Sequence, residues 1–181
     1  MAVIRSVALL RAINVGGHTV KMDRLRALFE DLGLARVETF IASGNVIFDA
    51  PSANTARLES RIEQQLEAAL GYAVATYIRP LADLAHVATD HPFDTHEADG
   101  HALSIGFLKT PLDAAHCTRL KALANGYDEF HLSDRQLYWL CRGRMSDSKL
   151  FGKVLDRAIE APVTFRNVTT VRKLAAKISP S

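Results

Sequence analysis

The chain holds two cysteines, Cys117 and Cys141, which form no CxxC pair. No disulfide framework is expected, and both residues read as core thiols of a protein from a reducing compartment. Aromatic residues make up only 7% of the sequence, with a single tryptophan. That leaves little material for a face that stacks nucleobases. No apolar run approaches the roughly 20 residues that cross a bilayer. The first residues read as a short strand instead of a signal peptide, so the expected location is the cytoplasm, with no membrane partner. Both the GxxxxGK[ST] loop and the GxGxxG fingerprint are missing, which removes the two commonest phosphate-binding signatures.

Net charge is also small, at +2 from 22 basic and 20 acidic residues, but it is unevenly spread. Residues 142–181 carry nine Lys/Arg against three acids, or +6, which leaves −4 for residues 1–141. A basic C-terminal end offers phosphate or nucleic-acid contact as one reading and a solvated face as the other.

What the chain does have is 48% hydrophobic residues, enough for a real core. Val3 to Leu10 is uniformly apolar enough to be a central strand. Leu25, Leu28, Phe29 and Leu32 then recur at helical spacing before Gly33. Two alternating runs, Arg36 to Ala42 and Asn45 to Asp49, flank Ser43-Gly44 as a hairpin. A helix from Asn54 to Leu70 follows, with Asn54 as its N-cap and Gly71 past its end, and Tyr72 to Ile78 makes a fourth strand.

The order β-α-β-β-α-β is that of a ferredoxin-like unit. After a short helix from Leu81 to Thr89 and the polar run DHPFDTHEADG, it repeats. Strands at 101–108, 127–132, 136–141 and 162–165 alternate with helices at 110–125 and 147–160, the latter expected to bury Leu150, Phe151, Val154 and Leu155. A terminal helix carries Val171, Leu174 and Ile178. The reading is therefore α+β: two tandem ferredoxin-like subdomains, 1–80 and 101–181, joined by 81–100, with the C-terminal helix in the second. The hairpins argue against a purely parallel sheet.

This topology brings the loop after the first strand, the first hairpin and the Gly71 turn to one end of a sheet. Arg11, Asn14, Gly16, Gly17 and Lys21 should therefore neighbour Ser43, Gly44 and Asn45. Glycines beside a helix N-terminus and two cations form a cradle for phosphate or carboxylate, while the same residues also satisfy ordinary turn chemistry. Lys149, Arg166 and Asn167 form a second polar group, with Asn167 placed to cap the last helix.

Other patterns carry less. His86, His91, His96 and His101 recur every five residues, which matches no zinc spacing, so no metal is expected. Ser146 and Lys149 have Ser-x-x-Lys spacing without its partner motifs, and His116-Cys117 are neighbours that point apart on a helix. No Asp-His pair or carboxylate dyad falls in the motif segments, so no general base can be nominated.

The segments ALLRAINVGG (8–17), VKM (20–22), ETFIASGNVIF (38–48), HPF (91–93), SKL (148–150) and TFRNVTTVRKLA (164–175) together resemble a mainly bacterial family, domain of unknown function 1697. That resemblance implies two ferredoxin-like subdomains and brings no established activity or cofactor. It also implies glycine at the position this chain fills with Ala12. The function expected is binding, with or without enzymatic processing, of a small phosphorylated or carboxylated ligand at 11–21 and 43–45. The alternative is a nucleic-acid or protein interaction module using the basic C-terminal face.

Overall fold

The computed structural model describes residues 2–41, 44–51, 54–93 and 99–178. The chain divides into two compact units, Met1–Leu84 with Leu174–Ser181, and Ala85–Lys173.

In the first unit, β1 (Val3–Leu10), α1 (Met22–Glu30), β2 (Ala35–Thr39), β3 (Asn45–Pro51), α2 (Thr55–Leu70) and β4 (Thr76–Pro80) follow in order. The sheet runs β2-β3-β1-β4 with every pair antiparallel. Apolar β1 is thus an inner strand, and its alternate residues Ala8 and Leu10 meet Leu25, Phe29, Ile62 and Leu66 of the two helices in one core. α2 begins and ends as its sequence requires: the Asn54 side chain accepts from the Arg57 amide at 3.2 Å, and Gly71 closes the helix at φ 81°.

β4 is an edge strand, and edges expose unpaired amides. Here α2 covers them. The Thr76 amide donates to Glu63 and the Ile78 amide to Glu59, each at 2.8 Å, so carboxylates four residues apart on the helix meet amides two residues apart on the strand.

After α3 (Leu81–Val87), the second unit repeats the plan with β5 (Ala102–Leu108), α4 (Ala114–Leu123), β6 (Asp128–Ser133), β7 (Gln136–Cys141), α5 (Lys153–Ile159) and β8 (Val163–Asn167), followed by α6 (Val168–Ala175). Its sheet order is β6-β7-β5-β8. Both units are ferredoxin-like. The repeat extends to register: Val7 pairs with Ile47 and Arg79, and Ile105 pairs with Tyr138 and Arg166.

Three local expectations need correction. The helix expected at 147–160 is α5 alone, preceded by a 3-10 turn at Met145–Asp147. Gly152, at φ 78°, occupies the N-cap and bars an earlier start, so Phe151 and Val154 are 58% and 46% exposed instead of buried. The helix expected from Thr110 begins at Ala114, because the Asp113 side chain caps it by accepting from the His116 amide at 2.9 Å. β2 stops at Thr39, which makes the first hairpin wider than a two-residue turn.

Candidate functional site

Residues 11–21 leave β1 and lead into α1, and several contacts fix the base of this loop. The Arg11 amide donates to Ala75 O at 2.8 Å, Ile13 is buried, and the Tyr72 hydroxyl donates to Ile13 O at 2.8 Å. Asn14 Oδ1 accepts from the Val20 amide at 2.8 Å, closing the loop across its neck. Beyond that neck the tip is exposed. Gly16 and Gly17, at φ 65° and 86°, turn the chain so that His18 N reaches Val15 O at 3.2 Å, and a side chain built on either glycine would meet nothing within 4 Å.

The hairpin converges on this loop as the topology requires. Leu10 N donates to Gly44 O at 2.8 Å, and a Cβ on Gly44 would lie 2.8 Å from Ile13 Cγ2. Glycine at 44 is therefore demanded by close packing as well as by its φ of 80°. Asn45 is buried and donates from Nδ2 to Phe40 O at 3.0 Å. Gly44 and Asn45 thus hold the hairpin against the loop from inside, and Ser43 lies outside the described residues.

Arg11 is half-buried beside Tyr77. Burial pushes the Tyr77 hydroxyl above its ordinary value, Glu63 and Glu59 add to the rise, and the charge of Arg11 opposes it. Lys21 is exposed at the N-cap of α1, and its side chain makes no capping hydrogen bond. The same turn carries Asp23, whose carboxylate meets Arg26 at 3.5 Å.

Two participants escaped the sequence reading. His18 stacks on Tyr72 with ring centroids 4.0 Å apart and planes 22° from parallel, which seals one side of the loop with an imidazole and a phenol. The signal was present in the topology, since Tyr72 directly follows the Gly71 turn at this end of the sheet.

The remaining polar group belongs to the second unit. Asn167 caps α6, accepting from the Thr170 amide at 2.7 Å. Arg166 is buried on β8 and donates from Nη1 to Thr164 Oγ1 at 2.9 Å and to Phe165 O at 2.8 Å; burial lowers its pKa to about 10. Lys149 is exposed, next to Ser148. The basic C-terminal stretch is partly neutralised: Arg142 pairs with Glu129, Arg144 Nε with Asp147 at 3.0 Å, and Lys177 Nζ with Glu38 at 2.6 Å.

Among the described residues, no three His, Cys, Asp or Glu side chains are arranged to hold a metal ion; His96 lies outside them. Nor is any described helix long and apolar enough to cross a membrane.

The sequence profile described as "Protein of unknown function (DUF1697)" matches residues 3–138. The chain belongs to this family. The match takes in the whole loop, both its glycines and the first hairpin, and it stops short of the SKL and TFRN segments. Among solved structures, the chain is similar to a conserved bacterial protein, SP0830 from Streptococcus pneumoniae, at 24% identity with a TM-score of 0.77, over 98% of this chain and 100% of that one. At that identity the likeness shows the fold alone. No curated protein matches the chain.

Proposed function

We propose that this DUF1697 protein binds a small phosphorylated or carboxylated molecule at residues 11–21. The observation that carries this reading is the pair of cations, Arg11 and Lys21, at the two ends of an exposed Gly16-Gly17 loop that runs into an α1 N-terminus lacking a side-chain cap. Backbone amides at such a start have no intrahelical partners, and the helix dipole adds partial positive charge there. Arg11 and Lys21 neutralise the ligand's charge, and the amides near Gly16 and Gly17 donate to its oxygens. Asn14, Gly44 and Asn45 act by shaping the loop and hairpin. The two free thiols support a cytoplasmic setting for this binding.

Thermal unfolding against a panel of inorganic phosphate, sugar phosphates, nucleotides, di- and tricarboxylates and a short RNA tests the reading. A ligand at a hundred times its Kd adds about 2.7 kcal/mol, a plainly visible shift. The expected result is stabilisation by a small anion that is lost in Arg11→Ala and in Lys21→Ala. A shift that survives both substitutions, or comes from RNA alone and vanishes with salt, would defeat it.

A further inference from the structure

At the opposite end of the first sheet, where α1 and β3 end and β2 and α2 begin, lies a cavity of about 660 Å³. Its walls include Leu32, Leu34, Pro51 and Leu58, and Leu34 belongs to the unit's core, so the apolar lining is continuous with the interior. The size suits a small-molecule pocket, which is characteristically apolar with a few placed polar groups.

The polar groups here are Arg57 and Arg61, both exposed and one helical turn apart on α2. Like charges at this spacing repel, and a cation in the first turn of a helix opposes the dipole. Sequence supplies no relief. The positions three and four residues beyond Arg57 are Ser60 and Arg61, those beyond Arg61 are Gln64 and Gln65, and the first turn of α2 contains no acid.

The nearest acids of the helix, Glu59 and Glu63, are directed to the β4 amides. Among the described residues neither Arg57 nor Arg61 forms an ion pair; Arg61 Nη2 donates to Leu32 O at 3.3 Å, which holds it at the rim. Arg5, Arg36 and Arg142 each meet a carboxylate, whereas Arg24 and Arg157, like Arg57 and Arg61, form no ion pair among the described residues; what sets Arg57 and Arg61 apart is that both line the cavity.

We infer that this cavity is a second binding site, for an amphipathic carboxylate whose apolar chain lies along the leucine wall and whose carboxylate is held by Arg57 and Arg61. The anion removes the repulsion that the helix otherwise carries and completes the charge of its N-terminal end. Apolar burial supplies affinity, and the two guanidinium groups select a charged head over a neutral one.

Sodium octanoate and octan-1-ol are the probes, titrated by calorimetry into the full chain. Saturable octanoate binding is expected, at least tenfold tighter than octanol. Arg57→Gln with Arg61→Gln should remove that preference, and Arg57→Gln alone, which breaks no hydrogen bond of the fold, should lower octanoate affinity several-fold. Arg11→Ala with Lys21→Ala should leave octanoate binding unchanged, so the loop site and this one fail separately. No saturable octanoate binding, equal affinity for the alcohol, indifference to both arginines, or loss in the Arg11/Lys21 variant would each overturn the inference.

Discussion

The Ser148 hydroxyl donates to Oδ1 of Asp128 across 2.7 Å in the interior of the second unit. The same carboxylate accepts from Trp139 Nε1 at 2.8 Å, Asn125 Nδ2 at 3.1 Å and the Cys141 thiol at 3.3 Å. One buried acid at the start of β6 therefore ties together β7 and the segment leading to α5. Asp128→Ala would leave an indole N–H and a hydroxyl buried without this acceptor. A loss of about 2 to 4 kcal/mol is expected in urea unfolding.

The pH dependence has a definite sign. Burial raises the Asp128 pKa, but the donors from Ser148, Trp139, Asn125 and Cys141 outweigh it, so the group lies below the ordinary 3.8. A depressed folded pKa gives stability that is complete above the unfolded value and is lost as pH falls through the folded one. The stability gap between the native protein and Asp128→Asn should therefore stay constant down to about pH 4 and close below it. A gap that widens on acidification would contradict this.

Burial, helped by the neighbouring Asp128, pushes the Cys141 thiol up to about 12. Thiolate is the reactive species, so this sulfur should be inert near pH 8. A disulfide-exchange reagent should therefore titrate only the half-exposed Cys117 in the native protein and both thiols after denaturation.

Ala12 sits at φ 61°, in the left-handed region where a Cβ costs about 1 to 2 kcal/mol. Ala12→Gly relieves this strain while enlarging the unfolded ensemble, for a net gain of about 0 to 1 kcal/mol by thermal melting. Gly44→Ala should do the reverse. It adds the same strain and forces Ile13 to move, costing about 2 kcal/mol or more.

Glu59 and Glu63 protect the β4 edge. Glu59→Ala with Glu63→Ala should cost about 1 to 3 kcal/mol for each buried amide left without its acceptor and promote self-association visible by light scattering. The Gln pair keeps an acceptor at both positions and should behave much like the native chain.

Periodicity and caps make the element order legible in the sequence, because Asn54, Gly71 and Gly33 each enforce a boundary through local backbone chemistry. Positions set by tertiary contact were harder to read. Glu59 looks like a solvated helix residue until β4 lies beside it. Phe151 and Val154 match a helical stripe, yet Gly152 denies that stripe a helix to ride on. The meeting of loop 11–21 with the hairpin followed from topology, whereas the His18–Tyr72 stack and the inward roles of Gly44 and Asn45 depend on side-chain packing that spacing does not encode. Arg166, placed in a polar group by its sequence neighbours, is buried, since alternation along β8 carries Thr164 and Arg166 to one face together.

The shared register of the two halves gives the molecule an internal comparison. Val7 and Ile105 hold equivalent places, so Leu10 corresponds to Leu108, yet residues 11–21 join strand to helix in the first half and only 109–113 do so in the second. The scaffold evidently closes around the short connection as well as the long one. The extra length of the first loop is thus not needed to join strand to helix; its base, through Ile13 and Val20, adds to the core of the first unit, and its exposed tip is the part that this core does not use.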